Sequence, residues 1–328
     1  MAEDRTRLDV PAARELGERA LRGLGYDREA ARIIADHVID AALCGYEYSG
    51  LAKILNIPEH SRFKRPRGPM RVLHETPVST MYDGGNENGM LVMYRATEHA
   101  IAKTATHGMA LVGVTNTWMS GRSAYYMEMV AKAGLVGMHT AASAYCVAPP
   151  GGTQPMLGTN PIAFGLPSDH GPVVFDMGTS AFMATELKLR ERLGQQLPEG
   201  VAIDRAGRPT RDPTEASLGA LLTWGGYKGF GLSLMVQLFG VLGGSSLDPD
   251  KCEGYFFAVF RPDLLRPLDE VKREISRLIA NLKATPLQPG AEPVRIPGER
   301  GFTTRERLMR AGLEFDRPVY DALVKLAG

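Results

Sequence analysis

A chain of 328 residues has room for a large apolar core and two or three lobes. Hydrophobic residues make up 44% of it and charged residues 23%, the balance of a soluble globular protein. The net charge of +1, with acids and bases interspersed, argues against nucleic acid or an anionic membrane as a partner.

The first fifty residues predict two helices. One runs from Ala12 to Leu24 and stops at Gly25. The next runs from Arg28 to Leu43, with Asp27 as N-cap, Glu29 in its first turn, and Ala31, Ile34, Val38 and Ala42 on an inward face. A strand at Arg71 to Thr76 leads to a turn at Asp83-Gly84-Gly85. A helix (Met90 to Thr106), a strand (Met109 to Thr115), a helix (Tyr125 to Lys132) and a strand (Leu135 to His139) follow, and this alternation predicts an α/β core. The Gly- and Pro-rich middle carries strands near Ile162 to Gly165 and Pro172 to Asp176, and a helix is expected to begin after Thr179. Leu197 to Pro213 reads as a loop. Helices at Lys228 to Val241 and Leu268 to Leu282 flank a strand at Tyr255 to Phe260, and short helices near Thr304 to Ala311 and Val319 to Leu326 close the chain.

Little chemistry is readable from spacing alone. Cys44, Cys146 and Cys252 form neither a disulfide framework nor a Cys-x-x-Cys pair, and no histidine pair has metal-ligand spacing, so no metal is expected. His37 and His60 read as surface or core-edge histidines. The charged start (Glu3, Asp4, Arg5) lacks a signal-peptide pattern, and the longest apolar run, Gly229 to Gly243, is short for a membrane span; a cytoplasmic setting is expected. No G-x-G-x-x-G or P-loop is present. Three segments still suit a ligand. Asp176-Met-Gly-Thr-Ser180 joins a strand end to an expected helix start, where an anion or a plain Thr179 or Ser180 cap would fit equally. Gly225-Gly-Tyr-Lys-Gly229 sets Lys228 at a helix N-terminus, against the helix dipole, an arrangement an intervening anion would relieve. Arg295-Ile-Pro-Gly-Glu-Arg300 is by itself a basic turn.

Taken together, Leu157-Gly-Thr-Asn-Pro161, Asp176-Met-Gly-Thr-Ser180, Gly225-Gly-Tyr-Lys-Gly229 and Ile296-Pro-Gly-Glu299 resemble, in order and spacing, the malate/L-lactate/sulfolactate dehydrogenase family over nearly the whole chain. Asn116-x-Trp118-Met119-x-Gly121, Gln196-Leu-Pro198, an aromatic residue before Lys228 and Phe302-Thr-Thr304 look closest to its 2,3-diketo-L-gulonate reductase branch. The resemblance implies an α/β, non-Rossmann NAD(P)-binding fold of the L-sulfolactate dehydrogenase type. Its core would span residues 71–290, with a helical substrate lobe formed by residues 1–70 and 291–328. It also implies a homodimer with active sites near the interface, a small-molecule substrate, and NADH or NADPH as cofactor. Carried over, cofactor contacts fall on Val174, Phe175, Asp176, Met177, Gly178, Thr179, Ser180, Tyr227, Lys228, Gly298, Glu299 and Arg300. Substrate contacts fall on Thr117, Trp118, Thr159 and Asn160.

The substrate side departs from that family. Its motif R-G-x-x-S-H-G-x-x-R aligns with Cys44-Gly-Tyr-Glu-Tyr-Ser-Gly-Leu-Ala-Lys53, so Ser49 stands where the proton-donating histidine is kept, Tyr48 replaces the serine and Lys53 the arginine. A second family histidine becomes Thr117, and a Thr-Asn pair becomes Ala141-Ala142. Ketone reduction needs a proton for the forming alkoxide, worth ~100- to 10,000-fold in rate, and a serine alone cannot give it. Three readings follow: another group (Tyr48, Lys53, Tyr46 or His139) gives the proton; the substrate is a cyclic imine, already protonated; or the fold binds a ligand without redox chemistry.

Overall fold

The helices that build the fold are α1 (Val10–Gly23), α2 (Arg28–Leu43), α3 (Gly89–His107), α4 (Ser123–Lys132), α5 (Ala184–Leu193), α6 (Pro213–Leu218), α7 (Tyr227–Leu242), α8 (Leu268–Lys283), α9 (Glu299–Ala311) and α10 (Arg317–Ala327). The strands are β1 (Arg5–Leu8), β2 (Arg71–Thr76), β3 (Ser79–Asn88), β4 (Met109–Trp118), β5 (Val136–Ala142), β6 (Val147–Ala148), β7 (Ile162–Leu166), β8 (Val173–Met177), β9 (Ala202–Ile203), β10 (Ala220–Leu222), β11 (Gly254–Phe260) and β12 (Leu313–Asp316). The computed structural model describes residues 4–328. None of its helices is long and apolar enough to cross a membrane.

A seven-stranded sheet in the order β2-β3-β4-β11-β5-β7-β8 carries the architecture. Only β3 and β4 run parallel, joined by α3 as a βαβ unit; the other neighbours are antiparallel. Helices α3 and α4 pack on the sheet through Met93, Ala96, Tyr126, Met127 and Val130 against Val112, Val114 and Phe257. Helix α7 packs against β5 and β11. Backbones meet closely there, since a Cβ on Gly240 would lie 2.2 Å from that of Ala142.

The two ends of the chain form one helical lobe. Strand β1 pairs antiparallel with β12, Arg5 opposite Asp316, and α1 packs on both α2 and α10. The capping expected for α2 is present: the Asp27 carboxylate accepts from the Ala30 N–H at 2.8 Å. The helix is buried on more than one face, with Ile33, Ala35, His37 and Ile39 as enclosed as Ala31, Ile34 and Val38. It is the central element of the lobe, apolar toward several neighbours, with a polar strip of Arg28, Arg32 and Asp36 left outward.

Two local expectations are corrected. Asp83-Gly84-Gly85 lies inside β3. Positive φ at Gly85 (67°) and Asn86 (57°) makes a bulge there, and the pairing with β4 resumes at Glu87. The expected helix after Thr179 starts only at Ala184. Thr179 and Ser180 are held elsewhere: the Thr179 hydroxyl donates to the carbonyls of Thr159 and Asn160, and Ser180 donates to that of Phe182. Neither caps a helix.

Candidate active site

Ser49 and Lys53 sit on two short 3-10 turns, Glu47–Ser49 and Leu51–Asn56, joined at Gly50. A Cβ at Gly50 would lie 2.9 Å from that of Ala42, so a glycine lets this segment press against α2. Its side chains project into two adjoining cavities. Ser49, Gly121, Pro161 and Met183 line both, so Ser49 marks the junction.

The first cavity, of about 130 Å³, lies between the start of α4, the end of β8 and the start of α9. Tyr46, Tyr48, Val174, Asp176, Met177, Gly178 and Gly298 line it, with Arg122, Ser123 and Ala124 opposite. Half-buried Tyr48 has its phenol pushed well above the ordinary range by desolvation, Glu186, Tyr46 and Asp176; the cation opposing this is Arg122, not Lys53. An acidic Tyr48 coupled to Lys53 therefore has no support. Burial raises the Asp176 pKa, countered by the Ala124 N–H donating at 2.8 Å and by Arg122. Arg122 pairs with Asp40 at 2.7 Å and lies over the Tyr46 ring, whose other cation is Arg300.

Part of this wall has the chemistry to meet the phosphate of a dinucleotide cofactor. Helix α9 begins there with no side-chain cap, so the N–H groups of Arg300 and Gly301 in its first turn are available to an anion, whereas the start of α4 is already served, its Ala124 N–H by the Asp176 carboxylate. The Ser123 hydroxyl is buried without a partner. Gly121, Gly178, Gly298 and Gly301 let a ligand approach the backbone, and Gly298 holds φ 87°. The other residues expected at the cofactor lie around or away from this wall. Phe175 stacks on Phe164, and Glu299 pairs with Lys283 and accepts from the Ile296 N–H. Tyr227 and Lys228 are exposed at the start of α7 and line neither cavity of this chain.

The second cavity, of about 390 Å³, is the chamber beyond Ser49. Lys53 lines it at 5% exposure, with no ion pair or hydrogen bond among the described residues, and burial alone lowers its pKa to about 8. Around it stand Asn56, His60, Ala141, Thr159, Lys188 and Glu253. His60 stacks on Trp118 at 4.5 Å; burial, then Arg62, Arg65 and Lys188, bring its pKa to about 4, so it is neutral at pH 7. Burial raises Glu253 to about 7 against the pull of Arg62.

Several expected residues lie outside both cavities. Thr117 is buried and donates to the Glu87 carbonyl, and Trp118 donates to that of Asn86. Asn160 braces α7 through Ser233 and Gln237. His139 is fully buried behind the chamber wall, stacked on Phe257 with Nδ1 bonded to the Phe256 carbonyl. Burial lowers its pKa from 6.5 to about 4. The unfolded chain therefore binds the extra proton first as pH falls, and stability is lost from about pH 6.5 down to pH 4, by about 3 kcal/mol for this group. Urea unfolding of His139→Gln should show a flatter acid limb over that window.

Arg122, Ser123 and Glu253 were not singled out from the sequence, and His60 reads there only as a surface or core-edge histidine. Arg122 carries a readable signal, a cation directly before a helix start, the same signal that singled out Lys228. A larger groove of about 470 Å³ runs along the β1–β12 pair, but its charged residues include ion-paired Glu47 and Glu314, and the Ser49 junction does not open on it.

Among known proteins, the chain is 30% identical over 327 residues to the malate/(S)-sulfolactate dehydrogenase of Methanothermus fervidus, covering 96% of this chain and 95% of that one. It is 30% identical to the Δ1-pyrroline-2-carboxylate/Δ1-piperideine-2-carboxylate reductase of Pseudomonas aeruginosa, covering 98% and 99%. The sulfolactate dehydrogenase structure from Methanocaldococcus jannaschii superposes with a TM-score of 0.83 at 27% identity, covering 98% and 96%, so the expected fold is present. None of these relatives is a diketogulonate reductase; the malate and sulfolactate enzymes take the place of that narrower likeness. Residues 8–324 match the family model described as malate/L-lactate dehydrogenase, and the chain belongs to that family of oxidoreductases.

Proposed function

We propose that the chain reduces a small 2-oxo acid with NADH or NADPH and that Lys53, rather than Ser49, gives the proton. The observation that carries this reading is the buried, unpaired Lys53 ammonium in the chamber wall, with its pKa lowered to about 8. A general acid works best when its pKa lies near the working pH, and burial is a recognised way to bring a lysine there. Arg122, Ser123, Gly178 and Gly298 would hold the cofactor's phosphates. The reduced nicotinamide supplies a hydride when bound. The remaining work belongs to the protein: the Ser49 junction sets the approach, and Lys53 Nζ holds a proton for the oxygen that gains negative charge.

A cyclic imino acid is the second reading, favoured by Ser49 itself. A protonated imine needs no acid at this position, and the Pseudomonas aeruginosa relative is named for such substrates. A screen of 2-oxo acids and cyclic imines with both cofactors tests both readings, with nicotinamide absorbance as readout. Ser49→Ala should change turnover by less than about threefold, since a general-acid role would give a far larger loss. Failure of either cofactor to bind in calorimetry would sink the reductase reading. The exposed apolar side chains of α7, including Leu234, Met235, Leu238, Val241 and Leu242, support the homodimer. Gel filtration should then report twice the chain mass.

A further inference from the structure

The chamber holds a second ionisable group whose environment is difficult to explain by structure alone. Arg62 is bound by the Asn86 side chain at 2.8 Å, the Asn116 side chain at 2.6 Å and the Thr117 carbonyl at 3.0 Å. Asn86 and Asn116 both hold positive φ, 57° and 53°, so this cradle is built at a conformational cost. The guanidinium is thus largely satisfied before Glu253 is counted. Glu253 adds only a long contact, Arg62 Nη1 donating to Oε2 at 3.3 Å, and its Oε1 accepts from the Tyr255 hydroxyl at 3.4 Å. A carboxylate has about four acceptor sites, and two weak bonds leave the rest unused. The side chain is 11% exposed and lines the chamber. Its backbone is fixed, since a Cβ at Gly254 would lie 2.2 Å from the Gly240 carbonyl. Burying a carboxylate for so little return is unfavourable unless something else uses it.

No ion pair joins Glu253 to Lys53, although both line one chamber. The chamber therefore offers a cationic donor and, above about pH 7, an anionic acceptor at separate points. Lys53 and Lys188 both line it without an ion pair among the described residues, which disfavours a cationic occupant. A neutral hydrogen-bond donor remains. We propose that Glu253 is a specificity-determining residue that accepts a hydrogen bond from a hydroxyl group of the substrate, selecting hydroxylated 2-oxo acids over their unsubstituted counterparts. The proposal rests on the reductase reading for the identity of the occupant.

Equilibrium binding of hydroxypyruvate and pyruvate tests it, with oxidised cofactor present and absent. The native protein should bind hydroxypyruvate about tenfold or more tightly, the effect of one hydrogen bond to a charged group. Glu253→Met, of similar length and without an acceptor, should bring the ratio close to one. Glu253→Gln, which keeps a carbonyl acceptor, should retain most of it. An absent preference in the native protein overturns the proposal, whatever the variants do. So does a preference that survives in Glu253→Met, or equal weakening of both acids, which marks a purely structural role. Turnover with NADH and NADPH is recorded separately. A protein that binds selectively but reduces nothing would remove the reductase reading and leave the Glu253 assignment standing.

Discussion

Replacing Lys53 by methionine is expected to slow 2-oxo acid reduction by ~100- to 10,000-fold while making the protein harder to unfold. The two effects share one cause. A lysine at 5% exposure without a counterion is a poor way to stabilise a fold, and burial has lowered its pKa from 10.5 to about 8. Between those values the unfolded chain binds the proton and the native chain does not, so stability rises with pH from about 8 to 10.5. Below about pH 8 the native protein carries the full cost of the buried charge, about 3 kcal/mol. An apolar side chain of similar length removes that cost. Urea denaturation at pH 7 should therefore show a gain in stability. In the native protein kcat/KM for reduction should be level below about pH 8 and fall above it, as Lys53 loses its proton. The variant should lose that break. A variant that reduces 2-oxo acids at the native rate would remove Lys53 from the chemistry, and a less stable one would contradict the cost assigned to the buried charge. If cyclic imines are the true substrates, their reduction should survive in the same variant.

The second large effect is expected at Gly121, which lines both cavities. It holds φ 81°, and a Cβ there would lie 2.1 Å from His37 Nε2. That nitrogen accepts the Arg122 N–H at 2.8 Å. Burial, with Lys53 and Arg122 nearby, keeps His37 well below its ordinary pKa, so the ring is neutral and Nε2 is free to accept. Gly121→Ala would impose left-handed strain of ~1–2 kcal/mol and break a buried hydrogen bond worth ~1–3 kcal/mol. It would also displace the start of α4, where Arg122 and Ser123 face the first cavity. Cofactor affinity should fall about tenfold or more, since 1.4 kcal/mol is already a factor of ten, read by calorimetry. Gly171→Ala provides the comparison, because Gly171 also has positive φ (107°) but no atom within 4 Å of an added Cβ. Unchanged cofactor binding in Gly121→Ala would move the cofactor out of this cavity.

What could be read from the sequence depended on how local its cause was. Asp27 and the sixteen residues of α2 were legible because an N-cap and helical spacing act within a few residues. The strand Arg71–Thr76 was legible for the same reason. Thr179 and Ser180 misled because Thr179 is claimed by carbonyls of Thr159 and Asn160, twenty and nineteen residues away, which no local pattern encodes. Ser49 and Lys53 were found through alignment to a family motif, and the structure brings both to one chamber wall. Glu253 escaped because its setting depends on Arg62, 191 positions distant in the chain. His60 escaped because its enclosure by Trp118 is equally non-local. His139 suited the chemistry by residue type, yet strand pairing with β11 buries it behind the wall.

The pairing of β1 with β12 has a consequence for the life of the protein before it is finished. The core that backs the Lys53 turn includes Leu51 and Ile54 together with Leu313, Phe315, Val319 and Leu323. During synthesis the first sixty residues leave the ribosome long before these partners exist. At ~5–20 residues per second the wait is roughly ten to fifty seconds. Throughout it Ile34, Ile39 and Ile54 have no complete shelter, so the segment that carries Lys53 waits with part of its apolar surface uncovered.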